Sequence, residues 1–270
     1  MFQRTFSRIC AAIICIFVLG ATAAPWIAPC DPYAIDLAER LAPPSAAHPL
    51  GRDAHGADIL SRLLYGGRVS FSVSILVVAV SGSIGVALGV LSGFYGGAVD
   101  LLLMRLVDVL LAFPGLLLAI ALVAVLGPGT WNVVLALSLL GWVSFARLAR
   151  GQTLALKERE FILAARISGQ RDWRIMWVHV LPNILSPVIV QATFGVAGVI
   201  IAEASLSFLG LGAPPGAPSW GMMLSEGKEV LLEAPHVSIF PGLAIMLVVL
   251  SINFLGDRLR DRFDPRMGTP

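Results

Sequence analysis

Six long apolar stretches divide this chain and limit what it can fold into. A helix needs about 20 mostly apolar residues to cross the hydrocarbon core of a bilayer. The stretches that meet this length run over residues 9–28, 69–94, 101–126, 131–149, 184–204 and 237–256. Their continuity excludes a β-barrel, whose strands alternate between apolar and polar residues. The pattern therefore predicts an all-α membrane protein with six transmembrane helices.

The composition agrees with a chain that lies in lipid. Apolar residues make up 57% of the 270, charged residues 13%, and the mean hydropathy is +0.85. Soluble domains are about 25% charged, so too little polar surface remains here for a water-soluble enzyme. The net charge of +2 also argues against a basic surface for nucleic acid.

The first apolar stretch has two interpretations. Arg4 and Arg8 precede a short apolar core, and residues 21–23 (Ala-Thr-Ala) look like a cleavage site, as in a signal peptide. The apolar run continues past these alanines to Ala28, which favours a helix that is retained in the membrane.

The distribution of basic residues predicts the orientation. Cytoplasmic segments of membrane proteins are enriched in lysine and arginine. With the N-terminus in the cytoplasm, roughly three quarters of the 19 lysines and arginines fall in internal segments. Both termini are therefore expected in the cytoplasm. Residues 29–68 and 205–236 are then long external segments, and residues 150–182 contain a long, basic internal loop.

No catalytic pattern is present in the sequence. A phosphate-binding loop needs Gly-Lys followed by Ser or Thr, but Lys157 and Lys228 are each followed by glutamate. There is no His-Glu-x-x-His zinc motif and no Gly-x-Ser-x-Gly nucleophile elbow. The four histidines have no metal-ligand spacing. We therefore expect no catalytic residue, no cofactor-binding residue and no metal site.

Two acidic residues inside the apolar stretches are candidates for a pathway across the membrane. A carboxylate is costly there and usually faces water, a partner or a pathway. Asp108 has an alternative role as an ion-pair partner of Arg105, three residues earlier. Glu203, which we expect near the outer face, has a structural alternative. A self-sufficient channel or proton-driven carrier would need a chain of such groups, and these two lie near opposite faces.

Glycines and prolines predict how the helices pack and bend. Gly85, Gly89 and Gly93 fall on one helix face and allow another helix to approach closely. Pro114 and Pro187 lie within the third and fifth stretches and are expected to kink or open those helices.

The internal loop is too polar to span the membrane, and its apolar residues predict helices. Leu154, Phe161 and Ala165 have helical spacing and predict an apolar stripe on a first helix.

A second helix is expected to follow the first. Gly169 is a natural helix stop, Asp172 is expected to cap the second helix, and Pro182 is expected to end it. Such a pair of helices suits docking into a groove of another protein. The alternative is an amphipathic helix that lies on anionic lipid.

This loop resembles the signature of the inner-membrane permeases of ATP-binding-cassette importers. That signature is Glu-Ala-Ala, three residues, Gly, and a spacer to Leu-Pro. The chain matches it at Ala164, Ala165, Gly169, Leu181 and Pro182. Leu163 stands in place of the glutamate. The resemblance implies that these residues form the coupling loop that inserts into an ATPase subunit.

Other motifs resemble one branch of that family, the second permease subunit of dipeptide, oligopeptide and nickel importers. They are spread over nearly the whole chain from residue 31 onward, at residues 48–53, 58–63, 93–97, 113–114, 203–212, 218–221, 240–242, 253–257, 259–261 and 264–266. The resemblance implies the type I importer permease fold and a retained first helix. We expect an N-terminal helix and external amphipathic segment over residues 1–67, a type-1 permease domain over 68–257 and a cytoplasmic tail over 258–270.

The resemblance also implies a function and a set of partners. The chain would be an inner-membrane permease subunit of a bacterial ATP-driven importer for short peptides, with a nickel chelate as the alternative cargo. Its implied partners are a second homologous permease, two ATP-binding-cassette ATPase subunits that use ATP and Mg, an extracytoplasmic substrate-binding protein and membrane lipid. The chain itself would bind neither a cofactor nor nucleic acid.

Overall fold

The computed structural model describes residues 2–214 and 216–263. This part of the chain contains eleven α-helices and no β-strand. The helices are α1 (Phe2–Thr22), α2 (Ala24–Ile27), α3 (Ile59–Tyr95), α4 (Gly97–Leu111), α5 (Gly115–Leu126), α6 (Thr130–Lys157), α7 (Glu160–Ile167), α8 (Asp172–Ile175), α9 (Leu181–Phe208), α10 (Trp220–Glu229) and α11 (His236–Phe263). Five helical runs are long and apolar enough to cross a membrane: α1, α3, α6, the run from α8 through α9, and α11.

The third apolar stretch is a bent pair of helices. The axes of α4 and α5 differ by 86°, and the break lies between Leu111 and Gly115. Pro114 is the N-cap of α5, where its missing N–H costs nothing. The predicted distortion at Pro114 is therefore confirmed, and counting the pair as one span gives the expected six. Pro187, in contrast, lies inside an unbroken α9.

The glycine stripe of α3 lies in close contact with α6. A Cβ atom on Gly85 would lie 2.6 Å from Cβ of Phe145, and one on Gly93 would lie 2.8 Å from Cβ of Thr153. Gly89 is equally close to Ala149. Small residues permit this approach because no side chain separates the two backbones. The predicted role of the stripe in helix packing is confirmed, with α6 as the partner.

The external helix α10 folds back into the outer half of the bundle. Trp220 at its start is fully buried and meets Phe17 of α1 and Phe71 of α3 edge to face, with ring centroids 5.9 and 5.8 Å apart. Its indole N–H donates to the Leu63 carbonyl at 2.9 Å. The tryptophan thus satisfies its one polar group and fixes α10 against α1 and α3.

Several expected boundaries differ from the observed helices. α1 begins at Phe2 and ends at Thr22, earlier than the expected span over residues 9–28. The expected division between residues 67 and 68 lies inside α3, so the domain boundaries stay a prediction. The motif at residues 264–266, and with it most of the expected tail, lies outside the described residues.

Candidate functional site

The internal loop folds into two short helices separated by a glycine. α6 continues to Lys157, beyond the apolar stretch, and α7 and α8 follow it. Gly169 stands between α7 and α8 with φ +72°, in the left-handed region that favours glycine. Its N–H donates to the Arg166 carbonyl at 2.9 Å and closes the end of α7. The predicted helix stop at Gly169 is confirmed.

The end of the loop differs from the expectation. Arg171 and not Asp172 occupies the N-cap of α8, and no side chain caps it. The second helix does not end at Pro182, because the chain passes from α8 through a π-helical turn, Met176–Val180, straight into α9. Proline cannot donate to a helical hydrogen bond, and the wider π turn just before it accommodates that loss. Leu181 and Pro182 therefore start the spanning helix and join it directly to the loop.

The inner face of the loop packs against its own subunit. Its buried apolar residues are Ile162, Ala165, Ile175, Met176 and Val180. They share a core cluster with Val90 and Phe94 of α3 and Ala149 of α6. The Arg166 guanidinium also lies over the Phe94 ring, 4.9 Å from its centroid. The loop is thereby packed against α3 and α6.

The opposite side of α7 exposes apolar residues. Leu163, Ala164 and Ile167 form this outer face of α7, and Ile167 is 88% exposed. The expected docking stripe is partly wrong, because Ala165 points inward with only 6% of its surface exposed and Leu154 belongs to α6. An apolar face outside the membrane spans is typical of a contact with another protein or with lipid.

An ion pair joins α4 to α6 beside the loop. Arg150 donates from Nη2 to Oδ2 of Asp100 at 2.7 Å, and Ser92 of α3 donates to the same carboxylate.

The alternative role suggested for Asp108, an ion pair with Arg105, is wrong. The part of the chain that the structure describes contains no salt bridge between these two side chains. Asp108 is exposed on α4, and its place in a pathway stays a prediction.

Glu203 is buried between α9 and α3 and is 2% exposed. Its Oε2 accepts a hydrogen bond from Ser70 Oγ of α3 at 2.9 Å, and its Oε1 accepts one from Ser207 Oγ at 2.8 Å. Within this subunit the carboxylate joins two helices and does not face water. A pathway role for Glu203 stays a prediction.

A buried ionic network holds the external segments together. No single sequence motif predicted this network. Arg62 in the first turn of α3 donates to Asp53 and, at 2.7 Å, to Oε2 of Glu226 in α10. Arg62 and Asp53 are both almost fully buried. They lie in the sequence motifs at residues 48–53 and 58–63, but nothing in the sequence marks Glu226 as their partner.

The same network contains a candidate cation site. The ligand atoms of Asp53, His55 and Glu226 all lie within 4.8 Å of one another. The Arg62 guanidinium already bonds to both carboxylates, and its charge opposes a cation in this position. This donor set favours an internal ion pair over a metal, and the expectation of no metal site stays a prediction.

Comparisons with known families cover both ends of the chain. The model of the family described as binding-protein-dependent transport system inner membrane component matches residues 85–269. The chain belongs to this family. A second model, the N-terminal transmembrane domain of oligopeptide transport permease C, matches residues 1–44. The chain is thus a multi-pass, non-catalytic permease subunit of the bacterial inner membrane.

Curated permeases resemble the chain over most of its length. It is 44% identical to the dipeptide transport system permease protein of Alkalihalophilus pseudofirmus, over 94% of this chain and 84% of the relative. It is 50% identical to the glutathione transport system permease protein of Pectobacterium atrosepticum, over 83% and 74% of the two chains. It is 42% identical to the probable D,D-dipeptide transport system permease protein of Escherichia coli K12, over 96% and 87%.

A solved transporter has the same fold as this permease. The inward-facing MetNI methionine ABC transporter matches with a TM-score of 0.61, over 75% of this chain and 97% of the matched chain. The sequence identity is 19%, so the match shows the fold alone. It confirms the predicted type I importer permease architecture.

Proposed function

We propose that this permease is one of two membrane subunits of an ATP-driven importer that passes short peptides into the cytoplasm. The observation that carries the proposal is the set of relatives at 42–50% identity, whose names specify dipeptide, D,D-dipeptide and glutathione transport. All three cargoes are peptides of two or three residues, and the matches cover 83–96% of this chain.

The outer face of α7 is the proposed docking surface for a cytoplasmic ATPase subunit. Leu163, Ala164 and Ile167 present it, and the buried inner face of the loop provides a rigid base. A displacement of the docked ATPase would then move α3, α6 and α9 together with the loop. Rocking of these packed helices against the second permease gives alternating access.

The remaining partners follow from what the chain lacks and what its family name states. It has no Gly-Lys-Ser/Thr motif, so ATP and Mg would be used by two ATP-binding-cassette subunits in the cytoplasm. A binding-protein-dependent system also needs an extracytoplasmic protein that delivers the cargo to the outer face. A second, homologous permease would complete the pathway.

Reconstitution of the complete transporter tests the proposal. The permease is purified with the products of its neighbouring genes and placed in proteoliposomes, and ATP-dependent uptake of radiolabelled dialanine is measured with the binding protein present. We expect uptake that requires both ATP and the binding protein. Uptake of a nickel chelate but not of dialanine would contradict the peptide cargo. Uptake driven by a proton gradient in the absence of ATP would contradict the importer class.

A further inference from the structure

A cavity of about 550 Å³ lies between the cytoplasmic halves of α6, α9 and α11. Its lining residues are Leu148 and Gln152 of α6, Ser186, Pro187, Val190, Gln191 and Phe194 of α9, and Arg260 and Phe263 of α11. Small-molecule sites have volumes of about 300–1,000 Å³, so the cavity has the size of a ligand site. Arg260 belongs to the motif at residues 259–261, and no other sequence motif or candidate site residue named above falls in it.

The polar side chains of this cavity have unused hydrogen-bonding capacity. In residues 2–214 and 216–263, the side chains of Gln152, Ser186 and Gln191 have no hydrogen-bond partner. Their neighbours Thr153 and Thr193 instead donate to carbonyls four residues earlier, at 2.7 and 3.0 Å. An unpaired amide in lipid is costly, and polar residues in spanning helices normally face the bundle interior or a wet cavity. The three side chains therefore line water or a ligand.

Gln191 lies deep in the membrane. It is ten residues from the cytoplasmic start of α9, which corresponds to about 15 Å along the helix. The hydrocarbon core is about 30 Å thick, so Gln191 lies near its middle. Gln152 and Arg260 lie closer to the cytoplasmic ends of α6 and α11. The cavity thus extends from the middle of the membrane to the cytoplasmic face.

The chemistry of the lining matches a peptide. A glutamine amide both donates and accepts hydrogen bonds, as does each peptide unit of a cargo. Arg260 forms no ion pair with any residue that the structure describes, and a guanidinium can hold a carboxylate through two charge-assisted hydrogen bonds. Phe194 and Phe263 provide apolar surface beside these groups.

We propose that this cavity is a peptide-binding segment of the translocation pathway. Gln191 and Gln152 hydrogen-bond to the backbone amides of the cargo, and Arg260 meets its terminal carboxylate. The inference rests on the proposed function, because it takes the cargo to be a short peptide. The pathway residues it names, Gln152, Gln191 and Arg260, differ from the two candidates predicted from the sequence, Asp108 and Glu203.

Transport by leucine variants tests the amide contacts. In the complete reconstituted transporter, Gln191→Leu and Gln152→Leu keep the side-chain size and remove both hydrogen-bonding atoms. We expect each to lower dialanine uptake per ATP hydrolysed by about tenfold, the loss of roughly one hydrogen-bonded contact. Thr193→Val on α9 is the matched control, because Thr193 bonds to its own helix, and it should transport normally. Normal uptake by Gln191→Leu, or an equal loss in the control, would overturn the inference.

The carboxylate contact has its own test. Wild-type transporter should prefer dialanine to dialanine amide, and Arg260→Gln should remove that preference while the uptake of the amide is unchanged. An unchanged preference in Arg260→Gln would overturn the role of the arginine.

Thiol labelling separates the cavity from the cargo. Gln191→Cys is made in a chain whose Cys10, Cys15 and Cys30 are serine, and a charged, membrane-impermeant thiol reagent is added to the cytoplasmic side. We expect labelling that excess dialanine slows, since a lipid-facing thiol does not react with such a reagent. If the wild type takes up dialanine but Gln191→Cys is not labelled, the pathway assignment is overturned and the proposed function stands. Labelling without any dialanine uptake would overturn the peptide assignment together with the proposed cargo.

Discussion

Replacing Gly85 with alanine tests whether the backbone approach of α3 and α6 stabilises the bundle. A Cβ atom on Gly85 would lie 2.6 Å from Cβ of Phe145 and would also meet the Trp142 carbonyl. Carbon atoms pack at about 3.5–4.0 Å, so the helices must separate by about 1 Å. Such a gap loses roughly a quarter to a half of the dispersion energy at each neighbouring contact.

The expected cost is that of overpacking a tight core, about 1–3 kcal/mol. Lipid gives no hydrophobic compensation for the lost helix contact, because its chains are as apolar as the side chains. Gly198→Ala is the matched control, since no atom lies within 4 Å of a Cβ at that position of α9. Alanine favours a helix over glycine by about 1 kcal/mol, so the control should be neutral or stabilised.

Thermal unfolding of the purified full-length permease measures the difference. For a chain of this size, 1 kcal/mol corresponds to about 2–4 °C in Tm. We therefore expect Gly85→Ala to unfold several degrees below the wild type and Gly198→Ala at or above it. A Tm for Gly85→Ala that equals or exceeds that of the control would refute the argument from close packing.

Three further predictions concern the loop and the external network. Gly169→Val should insert normally but co-purify with less ATPase, because its left-handed φ costs about 1–2 kcal/mol in a residue with a Cβ while nothing lies close enough to clash. Ile167→Asp should lose ATPase co-purification at an unchanged Tm, since the side chain is 88% exposed; normal assembly would show that α7 does not dock. Arg62→Gln should lower the free energy of unfolding by about 3–5 kcal/mol, because Asp53 and Glu226 lose their buried cation. A Tm of Arg62→Gln equal to that of the wild type would contradict the stabilising role of this buried cation.

The membrane spans could be predicted from the sequence because the bilayer imposes both their length and their apolar character. The glycine stripe could be predicted in the same way, since a four-residue spacing places the glycines on one helix face whatever lies against it. The 86° bend of the third span was not, because Pro114 marks where a helix breaks but not the direction in which the chain continues. Hydropathy averages over that break.

The loop shows a different limit. Periodicity identifies residues that share a helix face, but α7 is apolar on both sides, and only the fold decides which side is buried. Ala165 is the inner residue, and Ala164 is the outer one. The Arg62–Glu226 pair spans 164 positions, and no local pattern reports a contact over that distance.

The two ends of the loop connect the proposed docking surface to the proposed cavity. At its start the loop continues from α6, which carries Gln152, and at its end it passes through the π turn into α9, which carries Gln191. Because the inner face of α7 is fixed to α3 and α6, a displacement of α7 moves the Gln152 wall as part of one body. Met176 and Val180 of the π turn and Ile184 of α9 belong to the same core cluster, so the Gln191 wall is joined to that body as well. A force on the loop therefore acts on both glutamine walls together, and the same motion that couples the ATPase would carry the proposed cargo-binding cavity with it.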